Sequence, residues 1–259
     1  MTKPEFSINN FSLKGKTALI TGGASGLGQA YSSALSAVGA NVLIVSRSEN
    51  GWQETQKIVE DNGQKSYFLK WDITQPGTGN AITKFINETS GTVDILVNNA
   101  GMQKRNNWHD FSDEDWESVI NLNLNAVYYV SKAVALIMAK NGGGKIINIA
   151  SMQSYRSGKF IFPYTASKHG VVGFTKAYAD ALAQDNIQVN AIAPGYFDTP
   201  MTKELQEDKV RNTEILSHIP ANHWADPKEL MGTIVFLASR ASDYVTGVTI
   251  PVDGGYLLR

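Results

Sequence analysis

The sequence predicts an α/β fold in which a parallel sheet is covered by helices on both faces. Two observations carry this. Short apolar runs alternate along most of the chain with longer segments of helical periodicity, the pattern that βαβ units produce. Several of those runs are near-continuous in Val, Ile and Leu, as strands buried on both sides must be. With 259 residues, 42% of them hydrophobic, the chain can bury a sizeable core, and one domain spanning residues 1–259 is expected.

Strands are expected at residues 16–20, 41–45, 66–70, 94–97, 145–149, 188–192 and 246–251. Apolar residues recur at helical spacing over 27–38, 52–62 and 81–89. Ser112, followed by Asp113, Glu114 and Asp115, supplies an N-cap and an acidic first turn. The segment from there to Lys140 is too long for a helix without a bend. Pro163 opens another long helix, through about Gln184, and Pro227 a shorter one with Asp226 as its cap. The one long stretch without a regular pattern runs from Pro194 to about Ala225. It follows a strand, where ligands of open α/β sheets bind, so a substrate lid is expected at about 195–225. A plain surface excursion is the alternative.

The net charge is −1 and no long basic run appears, so neither nucleic acid nor an anionic membrane is an expected partner. The absence of cysteine excludes disulfides and thiolate metal sites. His109, His169, His218 and His223 do not cluster at ligand spacing, and no metal site is expected. Residues 1–12 are polar and lack the apolar stretch of a secretory signal. The apolar runs read as too short to span a bilayer, and a cytoplasmic protein is expected.

Thr21-Gly22-Gly23-Ala24-Ser25-Gly26-Leu27-Gly28 lies between the first strand and the first helix. Glycines there let the backbone turn sharply and approach a pyrophosphate, while the helix start offers free N–H groups to the anion. The spacing is G-x-x-x-G-x-G rather than the usual dinucleotide fingerprint. At the end of the second strand the acid that would hold the adenosine ribose is missing, and Ser46 and Arg47 stand there instead. Pairing of Arg47 with a 2′-phosphate favours NADP(H). Alternatively Arg47 is solvated and Glu49 or backbone groups serve the ribose. Asp72 and Ile73 follow the third strand, Asp72 either accepting from an adenine amino group or capping a turn. Asn98-Asn99-Ala100-Gly101 follows the fourth strand, where small residues allow close approach to the cofactor. Asn98 and Asn99 equally suit holding neighbouring strands together through their amides.

Tyr164 and Lys168 stand at i and i+4, on one helical face. An ammonium beside a phenol favours the phenolate, which makes the pair a plausible acid/base device for carbonyl–alcohol interconversion. Alone this spacing is common. Ser151, thirteen residues upstream and directly after a strand, supplies the context, because its hydroxyl can meet the Tyr164 hydroxyl over a substrate oxygen.

With these residues in place, the chain resembles the short-chain dehydrogenases/reductases over nearly its whole length. Thr21 to Gly28 looks like their cofactor loop and Asn98 to Gly101 their N-N-A-G motif. Ser151, Tyr164 and Lys168 match their catalytic residues in order and spacing, Asn123 matches the fourth member, and Pro194-Gly195 with Thr199 matches their P-G motif. The resemblance implies a Rossmann-type, doubly wound sheet of seven strands in order 3-2-1-4-5-6-7, in three αβα layers, and commonly a homotetramer joined through the helices around Asn123 and Tyr164. It implies that Tyr164 exchanges the substrate proton, that Lys168 lowers the tyrosine pKa and bonds the nicotinamide ribose, and that Ser151 orients the substrate oxygen. Asn123 would bend its helix and hold a water that relays protons to Lys168. Thr199, with the backbone of Phe197, would bind the nicotinamide carboxamide.

A closer resemblance is to the 2-dehydro-3-deoxy-D-gluconate 5-dehydrogenases, also called 2-deoxy-D-gluconate 3-dehydrogenases. It is carried by residues 141–152, 190–196, 238–245 and 252–255. Those enzymes are usually NAD-linked, which opposes the reading of Ser46 and Arg47. Their substrates are sugar acids, so a carboxylate-binding group is expected. Arg105 is the first candidate together with Lys104, with Arg156, Arg211 and His218 behind them; Gln153 and Tyr196 are expected to line the pocket. The alternatives are a gluconate 5-dehydrogenase, a general ketoreductase of the 3-oxoacyl-carrier-protein type and, more distantly, a non-catalytic cofactor-sensing protein.

Overall fold

The computed structural model describes residues 7–259; residues 1–6, part of the polar N-terminal stretch, lie outside the described residues. Seven strands form one sheet: β1 (Thr17–Thr21), β2 (Asn41–Ser46), β3 (Ser66–Lys70), β4 (Ile95–Asn98), β5 (Gly144–Ile149), β6 (Ile187–Pro194) and β7 (Thr249–Val252). Their order is β3-β2-β1-β4-β5-β6-β7, and every neighbouring pair is parallel. The chain starts at mid-sheet, winds to one edge, returns past β1 and winds to the other. The reversal leaves a crevice beyond the carboxyl ends of β1 and β4.

Alternate residues of each strand feed opposite cores, as the two-residue period dictates. Ile20 and Ile44 join Tyr31 and Leu35 of α1 (Gly26–Ala37), Val59 of α2 (Trp52–Asp61) and Ile234 and Leu237 of α9 (Met231–Ala238) on one face. Leu19, Leu43 and Leu96 pack on the other face against Ile82 and Ile86 of α3 (Thr78–Thr89) and Val130, Val134 and Met138 of α5 (Ala126–Lys140). The same face carries α6 (Phe162–Leu182), opened by Pro163 as expected.

The long segment after Ser112 does bend. Ser112 caps α4 (Asp113–Ile120) by accepting from Asp115 N, and a π-helical turn, Asn121–Asn125, separates α4 from α5. One expectation needs correcting here. The run Asp113–Lys140 is 28 residues long and, by length and hydropathy, sufficient to cross a membrane. Val119 is buried, and Val130, Val134 and Met138 pack on the sheet, which marks it as a core helix.

A second correction concerns residues 194–225. This excursion is not irregular: it holds α7 (Lys203–Glu207) and α8 (Lys209–His218). Asp208 caps α8 by accepting from Val210 N and Arg211 N. The helix escaped the sequence reading because Asn212, Thr213 and Ser217 are weak helix formers and the apolar stripe is short. The strand expected at 246–251 begins only at Thr249, because Gly247 turns the chain at φ +76°. The Asp226 cap is present, and Glu229 answers it by accepting from Asp226 N.

A buried polar chain ties the central strands to their helices. Asn98 Nδ2 donates to Asn148 Oδ1 and Ser131 Oγ, each at 2.8 Å, and Asn148 Nδ2 donates to Thr175 Oγ1 at 2.9 Å. Of the two readings of Asn98, the structure shows the strand-holding one. Asn148→Ala leaves the Asn98 amide short of a partner in a dry interior. We expect a loss of about 1–3 kcal/mol in urea unfolding, and an unchanged midpoint would show that the chain carries no stability.

Candidate active site

A cavity of about 730 Å³ opens beyond the carboxyl ends of the central strands. Gly22, Ser25, Gly26, Leu27 and Gly28 line it from the β1–α1 turn. Gly22 and Gly26 adopt φ +64° and +53°, the left-handed region that glycine enters freely. A Cβ on Gly28 would overlap the Gly22 carbonyl and lie 2.7 Å from Asn99 Nδ2, so only glycine lets α1 seat this closely. Ser25 is the N-cap of α1 yet makes no side-chain cap hydrogen bond, and the first-turn residues it precedes line the cavity. Uncapped N–H groups and a positive helix end make a seat for a pyrophosphate. Asn99 Nδ2 donates to the carbonyls of Thr21 and Gly22, clamping the turn from the β4 side. Ala100 and Gly101 line the cavity beside it.

At the end of β2, Ser46 and Arg47 both line the cavity, and among the described residues Arg47 makes no ion pair. Glu49, the alternative ribose ligand, pairs with Lys70 at 3.3 Å and does not line it. Asp72 and Ile73 line the next wall. Asp72 Oδ1 accepts from Thr74 N and Thr74 Oγ1, so the turn-capping reading holds for that oxygen. Pro194, Gly195, Phe197 and Thr199 form the far wall. Thr202 ties them together, its hydroxyl donating to Phe197 O at 2.6 Å and accepting from Thr199 N.

Ser151, Tyr164 and Lys168 meet in the same cavity. Ser151 Oγ accepts from Gln153 N at 3.1 Å. One lone pair is thereby occupied, and the serine's own proton stays available to an oxygen in the cavity. Lys168 Nζ donates to Ile149 O at 2.6 Å and lies 5.6 Å from the Tyr164 ring centroid. Burial lowers the Lys168 amine to about 8. Burial also raises Tyr164 above its ordinary value, and hydrogen bonding with Ser151 partly offsets this. The bond to Ile149 O uses one of the three donors of the Lys168 ammonium and leaves the others for a ligand in the cavity.

Asn123 sits in the π-turn, buried, with both amide atoms committed. Its Oδ1 accepts from Met102 N, and its Nδ2 donates to Met102 O and Ser167 Oγ. It thus fixes the loop after β4 against α6.

The substrate candidates separate cleanly. Arg105, Gln153 and Tyr196 line the cavity; Lys104, Arg156, Arg211 and His218 do not. Lys104 turns to Asp115 at 3.2 Å, Arg156 stacks on the Tyr256 ring at 4.8 Å, and His218 bonds Glu214 O. Gln153 Oε1 is buried without a partner. Tyr196 stands edge-on to Trp224 and Tyr256 at 5.1 and 5.3 Å. The sequence reading missed Trp71, Met102, Ile161, Met201 and Leu205, which also line the cavity. Trp71 directly precedes Asp72 and was within reach of the strand-end rule. Met201 and Leu205 belong to the excursion whose helices went unread.

Three comparisons bear on this site. The family model for short chain dehydrogenase matches residues 16–210. The chain is 50% identical over 255 residues to the uncharacterized oxidoreductase YgcW of Escherichia coli K12, covering 98% of this chain and 97% of that protein. It is 46% identical to the 2-dehydro-3-deoxy-D-gluconate 5-dehydrogenase of Bacillus subtilis, covering 96% and 97%. Among solved structures it matches a gluconate 5-dehydrogenase from Burkholderia cenocepacia in complex with NADP and tartrate. That match has a TM-score of 0.92, 37% identity and coverage of 97% and 98% of the two chains.

The amine of Lys168 makes stability depend on pH. Between about 8 in the folded chain and 10.5 in the unfolded one, only the unfolded state holds the proton, so stability rises with pH across that window. We expect a gain on the order of 3 kcal/mol from this group. It is read as the difference in urea unfolding between the wild type and Lys168→Met at pH 7 and pH 10. A constant difference would return the amine to its ordinary range.

Proposed function

The chain belongs to the short-chain dehydrogenase family, NAD(P)-dependent oxidoreductases acting on CH–OH groups, and on that premise we propose that its substrate is a sugar acid. The reaction is of the 2-dehydro-3-deoxy-D-gluconate 5-dehydrogenase or 2-deoxy-D-gluconate 3-dehydrogenase type, interconverting a secondary alcohol and a ketone. One observation carries the proposal: the Ser151–Tyr164–Lys168 group and the guanidinium of Arg105 line one cavity, and no carboxylate of the described chain pairs with that guanidinium.

The nicotinamide, when bound, supplies or accepts the hydride. The residues that would hold the cofactor are Gly22, Ser25, Gly26, Leu27 and Gly28 for the pyrophosphate and Ser46 and Arg47 for an adenosine 2′-phosphate. Asp72, Ile73, Asn99, Ala100 and Gly101 would border the adenosine half. Pro194, Gly195, Phe197 and Thr199 would border the nicotinamide, with Lys168 on its ribose. In the direction of reduction Tyr164 donates its proton to the carbonyl oxygen, and in oxidation it takes that proton back. Ser151 donates a hydrogen bond to the same oxygen and steadies the charge that develops there. Burial keeps the Tyr164 phenol protonated near neutrality, which suits it as the acid. Asn123 acts at one remove, holding the Met102 backbone so that the loop carrying Arg105 keeps its place. Gln153 and Tyr196 border the substrate, and Arg105 takes its carboxylate.

The same reading extends to assembly and place. The outer side of α5 exposes Tyr128, Tyr129 and Leu136, and Tyr128 stands edge-on to Phe174 of α6. An apolar, aromatic face of this kind supports a subunit contact, and a homotetramer is the proposed assembly. A cytoplasmic location is proposed with it, where a diffusible nicotinamide cofactor is regenerated.

Arg47, which makes no ion pair among the described residues, and the engagement of Glu49 with Lys70 support NADP(H) over NAD(H). Arg47→Ala should raise KM for NADPH about tenfold, the weight of one charge-assisted hydrogen bond, and leave KM for NADH within about twofold. Equal effects on both cofactors would remove Arg47 from phosphate recognition.

The substrate class is tested by initial rates on keto-deoxy sugar acids, 5-ketogluconate and a 3-oxoacyl thioester with each cofactor. Turnover is expected on the sugar acids. Tyr164→Phe should lower kcat by about 10²–10⁴-fold while NADPH still binds, as seen by fluorescence. Activity on the thioester alone would point to a general ketoreductase and overturn the sugar-acid reading.

A further inference from the structure

We propose that Arg211 of α8 is a second carboxylate-binding residue, and that the substrate carboxylate draws α7 and α8 over the cavity by bridging Arg211 to Arg105. This rests on the sugar-acid reading.

The two arginines stand on unlike supports. Arg105 belongs to a fixed wall. Its Nη1 donates to Lys159 O at 3.2 Å, and the adjacent Asn106 N donates to Phe160 O at 3.0 Å, tying the loop after β4 to the segment before α6. Its charge has no carboxylate in ion-pair range among the described residues.

Arg211 belongs to an excursion attached at its base. Asp198 N donates to Ala225 O and Ala225 N to Tyr196 O, so the two ends of the loop are pinned side by side. Between those pins, α7 and α8 rest on a small cluster of Met152, Ile215, Ile219 and Tyr256, with Leu205 and Tyr196 packed against it. That geometry lets the excursion move about its base without breaking the sheet.

The inner face of α8 is identified by what it touches. Ile215 is 3% exposed, and Asn212 Oδ1 accepts from Trp224 Nε1 at 2.7 Å. Arg211 lies one turn before Ile215 and so shares its face. Its side chain is only 25% exposed, and its carboxylate partner, Glu214 at 2.9 Å, is itself 55% exposed. The partner is thus on the solvent side, leaving the guanidinium's remaining donors for an inward ligand.

Two further observations agree. Burial first, and then the charge of Arg211, holds the Arg105 guanidinium below its usual range, so the two cations are near enough to repel. Both also act on Tyr196, which lines the cavity, and Glu204 of α7 offsets part of the repulsion at Arg105. Arg211 stands outside the cavity that Arg105 lines; repulsion between the two favours this open arrangement, and an anion between them reverses the sign. A neutral substrate offers no such reversal. The carboxylate would therefore both select the substrate and couple its arrival to closure.

The test compares a keto sugar acid with the corresponding neutral ketose in the wild type, Arg211→Gln and Arg211→Lys. Arg211→Gln should raise KM for the acid about tenfold or more with kcat within about twofold. KM for the neutral ketose should not change, and Arg211→Lys should recover part of the loss. Gluconate should slow proteolysis within 203–218 in the wild type and not in Arg211→Gln. If the wild type prefers the acid and Arg211→Gln keeps that preference undiminished, the bridge is wrong and the sugar-acid reading stands. Equal losses on acid and ketose would give Arg211 a packing role and also overturn the bridge. If the wild type turns over no sugar acid, both readings fall.

Discussion

Everything in this molecule depends on where the sheet reverses. Parallel strands point all their carboxyl ends to one side, and the change of winding direction between β1 and β4 keeps any helix from covering that point. The crevice is thus a consequence of topology before any side chain is considered. The seat at its floor then depends on one close contact, α1 packed against the β1 turn at Gly28, where no Cβ fits. An uncapped helix start beside that contact supplies the anion-binding end of the cavity.

The chemistry is placed by the strands next to the reversal. Ser151 follows β5, and Tyr164 and Lys168 follow on α6, so a loop of a dozen residues folds the serine back onto the phenol. Three constraints make that arrangement reproducible. Lys168 is tethered to the last carbonyl of β5, Ser151 is tethered to the turn it caps, and Asn123 clasps the loop after β4 while bonding Ser167 on α6. The π-turn that carries Asn123 is what allows its amide to reach both partners. Such a turn interrupts an otherwise regular helix, and the cost is met by the bonds it makes possible.

Burial governs the electrostatics more than pairing does. The phenol is raised, and the amine lowered to about 8, by the same dry surroundings. At the mouth the balance differs. Arg105 lines the cavity without an ion pair among the described residues, while Arg211 pairs with Glu214. The cavity therefore joins the Ser151–Tyr164–Lys168 group to a positive charge at Arg105. That polarity favours a substrate with a reactive hydroxyl or ketone at one end and an acid at the other.

Sequence by itself determined the layered architecture and the seven strands, and it picked out Ser151, Tyr164 and Lys168, which line one cavity. These follow from local rules: two-residue and helical periodicities, glycines where the backbone must turn, and proline or a capping residue where a helix begins. The length of the segment to Lys140 also called for a bend, and the family resemblance put it at Asn123, where the π-turn lies. Tertiary structure alone decided the rest. It turned Lys104 to Asp115 and Arg156 onto Tyr256 while leaving Arg105 in the cavity, a choice set by partners distant in sequence. It buried Tyr164 and Lys168 together, which raises the phenol and lowers the amine. It made two helices of a polar stretch whose periodicity is too weak to read, since their stability comes from packing on Met152 and Tyr256. Periodicity reports what a segment does with its own neighbours; charge, burial and competition for partners exist only once the chain has closed on itself.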